Sequence, residues 1–266
     1  MPGGAAAVPT IRRITYGDGA CRFGELSLPP GDAPVPGTVV VVHGGFWRAA
    51  YGLELGRPLA ADLVRRGWAV WNVEYRRVGG PGADAGGWPA TFEDVAVAVD
   101  ALAGPVAEAA SGRIDPTRVV AVGHSAGGHL AAWLAARPGL PDGAPGAAPA
   151  VVLLGAVSQA GVLDLDDGAR QGLGAGAIQA FLGGGPDEVP QRYALGSPIE
   201  RVPFETPVVC VHGTADDRVP IRQSERFAAA AGAELVRLPG VDHFAVIDPA
   251  TDAWRACRDA AERLLG

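Results

Sequence analysis

The sequence predicts an α/β fold with a mostly parallel central sheet and helices on both faces. Three observations predict it. The runs Thr38–Val42, Arg118–Val122 and Pro207–Val211 are apolar and rich in β-branched residues, as strands covered on both faces must be. Alanine-rich stretches of helical periodicity lie between such runs. The two kinds of segment alternate along nearly the whole chain, the pattern of βαβ units. With 266 residues, 48% hydrophobic and 19% charged, the chain reads as a single domain, 1–266, able to bury a large core.

Each element has its own signal. Ile11–Tyr16 and Arg22–Leu28 read as leading strands around the turn Gly17-Asp18-Gly19, and Pro29–Pro36 as loop. Val39–Val42 is a central strand. Leu55–Arg66 is a helix ended by Gly67, and Trp68–Val73 the next strand. Gly79–Gly87 is a glycine-rich loop. Thr91-Phe92-Glu93-Asp94 has the form of a capping box for a helix reaching about Ala103, with Val95, Val99 and Leu102 on one face. Arg118–Gly123, Ala150–Ala156, Pro207–His212 and Glu234–Leu238 continue the sheet. Asp248–Leu265 closes the chain as a helix turning Trp254, Cys257 and Leu264 inward. The irregular stretch 158–203, with a short helix around Gly176–Leu182, reads as a small lid or pocket-wall insert.

The chemistry is carried by Gly123-His124-Ser125-Ala126-Gly127, placed between a strand and the helical run from Ala126. Strand, Gly-x-Ser-x-Gly and helix together make a nucleophile elbow, which exposes the serine hydroxyl above the strand ends. The flanking glycines allow the tight turn, and the helix start points N–H groups at the same place. A serine there needs a base, and the base an orienting acid. In the fold that carries this elbow the chain order is Ser, acid, His. Of the five histidines, only His243 lies well downstream of an acid that follows the elbow. The acid is read as Asp216, in His212-Gly213-Thr214-Ala215-Asp216, with Asp217 and Asp242 as alternatives if Asp216 only caps the next turn. The N–H groups of Gly45, Phe46 and Ala126 are the expected oxyanion donors.

On these motifs the chain resembles the α/β-hydrolases over nearly its whole length. His43-Gly44-Gly45-Phe46-Trp47 resembles the His-Gly-Gly-x-Trp signature of kynurenine formamidases (arylformamidases) and related bacterial esterases. Asn72-Val73-Glu74-Tyr75-Arg76, Ser197-Pro198 and His212–Asp217 are further matches. Phe46 stands where the hormone-sensitive-lipase group has a third glycine, and Ser125 where dienelactone hydrolases have cysteine. The resemblance implies hydrolysis of a small ester or amide through an acyl-enzyme, with N-formyl aryl amides such as N-formylkynurenine as first substrates. Trp47, Tyr75, Trp88 and Phe244 would then join Phe46 in an aromatic wall, each with ordinary core packing as its alternative. Arg48 or Arg76 could meet a substrate carboxylate, against a plainer ion-pair role.

Composition removes other classes. Net charge is −7 without a basic cluster, so nucleic acid and anionic membranes are not expected partners. All 22 basic residues are arginine, which excludes P-loop, Schiff-base and lysine-dependent aldolase chemistry. Cys21, Cys210 and Cys257 have no metal or redox spacing, and His124 and His129 are five apart rather than four. No cofactor or metal is therefore expected, and His43, His124, His129 and His212 read as loop-holding residues. An acidic calcium loop at Asp164–Gly168 lacks ordered ligand spacing. Met1–Pro9 has neither a charged start nor an apolar run, and no stretch reaches 18 apolar residues, so a cytoplasmic protein is expected, with a homodimer possible. The alternatives are an aminopeptidase-like hydrolase or secondary-metabolite deacylase, and a hydrolase-fold binding protein without turnover.

Overall fold

The structure is a computed structural model that describes residues 10–266; the reading of Met1–Pro9 lies outside the described residues. Strands β1 (Thr10–Thr15), β2 (Phe23–Leu28), β3 (Thr38–Val42) and β4 (Ala69–Val73) are joined by β5 (Val119–His124), β6 (Gly155–Gln159), β7 (Val208–Gly213) and β8 (Glu234–Leu238). They form one sheet in the order β1-β2-β4-β3-β5-β6-β7-β8. β1 and β2 pair antiparallel, β2 meets β4 antiparallel, and every pairing from β4 to β8 is parallel. The helices are α1 (Arg57–Arg65), α2 (Ala90–Asp100), α3 (Pro105–Ala109), α4 (Ala126–Ala136), α5 (Leu165–Arg170), α6 (Ala177–Leu182), α7 (Pro190–Gly196), α8 (Arg222–Ala231) and α9 (Asp252–Leu265).

β3 shows why its valines are there. Val40 and Val42 enter one core with Trp71, Phe92 and Trp133, while Val39 and Val41 enter a second core with Leu63, Trp254 and Cys257. Alternation along a strand with both faces covered demands apolar residues at every position. Two indoles pin the layers. Trp71 Nε1 donates to the Ala98 carbonyl at 2.8 Å, and Trp254 Nε1 donates to Asp62 at 2.8 Å, tying α9 to α1.

The predicted strands β1–β5, β7 and β8 stand within one or two residues of their expected bounds. β6 does not. It begins at Gly155 rather than Ala150, because β5 starts at Val119, whose carbonyl takes the Leu154 N–H at 2.8 Å, and gives residues 150–153 nothing to pair with. The N–H groups of Ala150 and Val151 donate to Asp100 instead, both at 3.1 Å. Thr91 is not a capping residue either. Helix α2 starts one residue earlier, and the Thr91 hydroxyl donates to the Arg76 carbonyl at 2.6 Å. The last helix starts at Asp252, capped by Thr251, and of its expected inward residues Leu264 is only partly buried.

The chain order places a crevice. From β3 the chain passes to β4 on one side, and then returns to β5 on the other. The loops after β3 and β5 therefore diverge at their carboxyl ends, the position where open α/β sheets bind ligands. Both the loop 43–48 and Ser125 emerge there.

Candidate active site

Ser125 sits between β5 and α4 at φ 56°, ψ −116°, a left-handed conformation unusual for a residue with a side chain. Close approach holds it. A Cβ on Gly123 would lie 2.0 Å from the Gly127 carbonyl, and one on Gly127 would lie 2.0 Å from the Val42 carbonyl. Only glycine fits either place. The Ser125 N–H donates to the carbonyl of Gln159 at 2.8 Å, locking the turn onto β6. As the first residue of α4, Ala126 has an N–H with no intrahelical acceptor. The Ser125 hydroxyl has no hydrogen-bond partner among the described residues.

His243 follows β8 and is buried. Its Nδ1–H donates to Asp216 Oδ2 at 2.6 Å, which leaves Nε2 as the basic nitrogen. Asp216 does two jobs at once. Its Oδ1 accepts the N–H groups of Arg218 and Val219, both at 2.8 Å, while Oδ2 serves His243. His212 Nε2, which donates to the Val219 carbonyl at 2.9 Å, also stands 3.2 Å from Asp216 Oδ2. Burial alone would raise the Asp216 pKa. The hydrogen bonds from His212, His243 and Val219 outweigh it and hold the carboxyl well below the ordinary carboxylate range. Asp217 is exposed and pairs with Arg218, while Asp242 accepts from the N–H groups of Phe244 and Ala245. Of the three candidate acids, Asp216 is the one that reaches the imidazole.

The loop after β3 is strained. Gly45, Phe46 and Trp47 all have positive φ, at 109°, 50° and 55°. For two bulky residues this persists only where the surroundings over-determine it. The Trp47 ring stacks on Phe181 at 4.4 Å, and its carbonyl accepts from Val78 at 2.8 Å. Behind the loop, His43 Nε2 meets Glu74 at 2.9 Å and the Tyr75 hydroxyl donates to the His43 carbonyl at 2.7 Å. Glu74 also pairs with Arg77 and accepts from the Leu53 N–H. A Cβ on Gly44 would come within 2.7 Å of the His124 carbonyl and 3.3 Å of the Ser125 Cβ, so the loop rests directly on the elbow.

Ser125, His243, Gly45 and Phe46 line one cavity of about 310 Å³, together with Tyr51, Leu55, Phe244 and Ile247. Of the expected aromatic wall, Phe46 and Phe244 are there. Trp47, Tyr75 and Trp88 are not. Trp47 is buried among Phe181 and His129, Tyr75 is stacked on His43 behind the loop, and Trp88 packs on Phe92. Loop geometry turned these side chains to the core, where burial of a large ring is favourable. No residue of 158–203 is among those lining the cavity, although Gly174 packs against the ring of Phe46, which does line it. Residues 158–203 brace the loop 43–48: Arg48 donates to the Gly174 carbonyl at 2.6 Å, and Phe181, on which Trp47 stacks, comes from this stretch. Arg76 is held bidentate by Asp94.

Sequence reasoning missed Tyr51, Leu55, Ile247 and Arg218 as lining residues, and no local signal marks them. It read His124 and His212 only as loop holders. His124 Nε2 donates to the His243 carbonyl at 2.8 Å, and Gln159 Nε2 donates to the Val246 carbonyl at 2.6 Å. Burial and nearby His243 push the His124 pKa down to about 3, so it stays neutral. No group of metal-ligating side chains occurs among the described residues, and none of the described helices is long and apolar enough to cross a membrane.

A strand-loop serine, a following acid and a terminal histidine on such a sheet define an α/β-hydrolase. A family model matches residues 25–231, and the chain belongs to the BD-FAE family, an α/β-hydrolase family of esterases. It is 30% identical to Esterase LipQ of Mycobacterium tuberculosis over 95% of its own length, and spans 61% of that relative. Among solved structures it superposes on a bifunctional GH43-CE protein of Bacteroides eggerthii with TM-score 0.78 and 23% identity, covering 96% of this chain and 35% of that one. It matches the butyrate-bound esterase Est2 of Thermogutta terrifontis with TM-score 0.73 and 24% identity, over 96% of this chain and 93% of the other. At these identities the structural likeness is one of fold.

Proposed function

We propose that the chain is a carboxylesterase that cleaves small esters through an acyl-enzyme on Ser125. The observation that carries this reading is the 2.6 Å contact of His243 Nδ1 with Asp216 beside a serine held at positive φ in the same cavity. His243 Nε2 takes the Ser125 proton as Oγ attacks the ester carbonyl. Asp216 fixes the tautomer and stabilises the imidazolium. The carbonyl oxygen, now negative, is held by the N–H groups of Ala126 and of Gly45 or Phe46. His243 then protonates the leaving alcohol, and water repeats the steps to release the acid. The esterase names of the relatives support the reading.

Ser125→Ala is the test. It is expected to abolish both hydrolysis of 4-nitrophenyl butyrate and labelling by a fluorophosphonate probe; retained turnover would refute the serine assignment. A second reading, arylformamidase-like cleavage of N-formyl aryl amides, rests on the signature His43–Trp47. Only Phe46 and Phe244 of its expected aromatic wall face the cavity. Comparing kcat/KM for N-formylkynurenine, 4-nitrophenyl esters and aminoacyl anilides separates the two, and the esterase reading expects the esters to lead.

A further inference from the structure

The proposed ester site has one formally charged lining side chain, and it is not part of the proton relay. The rest of the wall is apolar: Phe46, Tyr51, Leu55, Phe244 and Ile247 surround Ser125 and the imidazoles of His124 and His243. The charge is Arg218, two residues beyond Asp216. Its backbone is fixed, because its N–H donates to Asp216 Oδ1 at 2.8 Å. Its guanidinium makes no side-chain hydrogen bond among the described residues, and its ion pair is a 3.3 Å contact from Nε to Asp217, both groups being largely exposed. The other arginines near the loop are engaged: Arg48 by the Gly174 carbonyl, Arg76 by Asp94 and Arg77 by Glu74. An apolar cavity with a weakly paired planar fork in its lining, the terminal nitrogens without a hydrogen bond among the described residues, fits a substrate that has an apolar body and one carboxylate, since guanidinium recognises that group in a bidentate way.

We propose that Arg218 is a specificity-determining residue that selects esters carrying a free carboxylate on the acyl or alcohol side. The proposal rests on the carboxylesterase reading. The carboxylate docks on the Arg218 terminal nitrogens while the ester carbonyl sits over Ser125. The overall charge of −7 repels anions at long range, so the selection is local to this arginine. Because Arg218 is exposed and weakly paired, its effect is of the size of a solvent-screened ion pair with good geometry, about three- to tenfold in kcat/KM.

The test uses isosteric pairs and reads ratios. For the acyl side, 4-nitrophenyl hydrogen adipate is compared with 4-nitrophenyl hexanoate; for the alcohol side, 4-(butyryloxy)benzoate with its methyl ester. Spontaneous hydrolysis is subtracted. Arg218→Gln is expected to lower the anionic-to-neutral ratio of kcat/KM about three- to tenfold in one of the two pairs, which also tells which side carries the carboxylate. Arg218→Glu is expected to lower it further and to raise the relative rate on butyrylthiocholine, a gain that misfolding does not produce. Ratios unchanged within twofold in both pairs, with the neutral esters still hydrolysed, overturn the role of Arg218 and leave the esterase reading standing. Hydrolysis of no ester by the unmodified protein overturns both.

Discussion

Asp216→Asn is the most direct probe of the proposed relay. In the folded chain Oδ2 accepts the Nδ1–H of His243 at 2.6 Å, and Oδ1 accepts two backbone N–H groups. An asparagine keeps a carbonyl oxygen for the backbone donors but turns an NH₂ toward the imidazole. His243 must then place its proton on Nε2, the nitrogen that receives the serine proton in the proposed mechanism. The corresponding exchange in a Ser-His-Asp triad on an unrelated fold lowers kcat about 10⁴-fold. The same loss here corresponds to about 5.4 kcal/mol of transition-state stabilisation. Stability changes less, by about 1–3 kcal/mol, because one charge-assisted hydrogen bond is lost while the backbone contacts persist. The Asp216 pKa is depressed in the folded state, so its stabilisation is complete above the unfolded carboxylate value and is lost as pH falls below it. The variant therefore has a shallower loss of stability in acid. Measuring kcat/KM on 4-nitrophenyl butyrate together with urea unfolding at several pH values checks both parts. A folded variant that keeps more than a tenth of the activity refutes the role given to Asp216.

Two further outcomes follow from burial. Trp47→Ala removes a fully buried ring stacked on Phe181 and is expected to cost about 3–5 kcal/mol, whereas Phe244→Ala, at a side chain 56% exposed, shifts stability within about 0.5 kcal/mol and raises KM. Equal thermal shifts for the two variants would contradict the placement of Trp47 in the core. His124 and His129 are pushed by burial to about 3 and about 4, so the folded chain refuses protons that the unfolded chain accepts below about pH 6.5. Stability is therefore fully present above that value and falls as pH drops toward 4, with a slope approaching ~2.7 kcal/mol per pH unit from the pair. A flat unfolding free energy between pH 7 and pH 5 would show that these imidazoles titrate in the folded state.

The elbow was legible because its requirements are local. Gly123 and Gly127 lie against backbone atoms at distances no Cβ tolerates, so residue type and turn are coupled within five positions. The pairing of Asp216 with His243 was legible for a different reason: the parallel strand order fixes which loops reach the crevice, and β7 and β8 are neighbours. The cavity wall was not legible. Trp47 is adjacent to Phe46 in sequence, yet the two positive-φ residues send one ring to the core and the other to the cavity. No periodicity encodes such a turn. β6 was misplaced because its start depends on where β5 begins, which no apolar pattern within 150–156 can report.

By itself, the sequence determined the layered sheet, the strained serine and the order of the acid and histidine, since these follow from strand patterning and from backbone contacts only glycine allows. Tertiary structure alone decided which aromatic rings became core, that residues 158–203 brace the loop 43–48, and which arginine at the cavity is only weakly paired. Those outcomes depend on partners far away along the chain, such as Phe181 for Trp47 and Gly174 for Arg48. Packing selects such partners only after the sheet has brought the segments together.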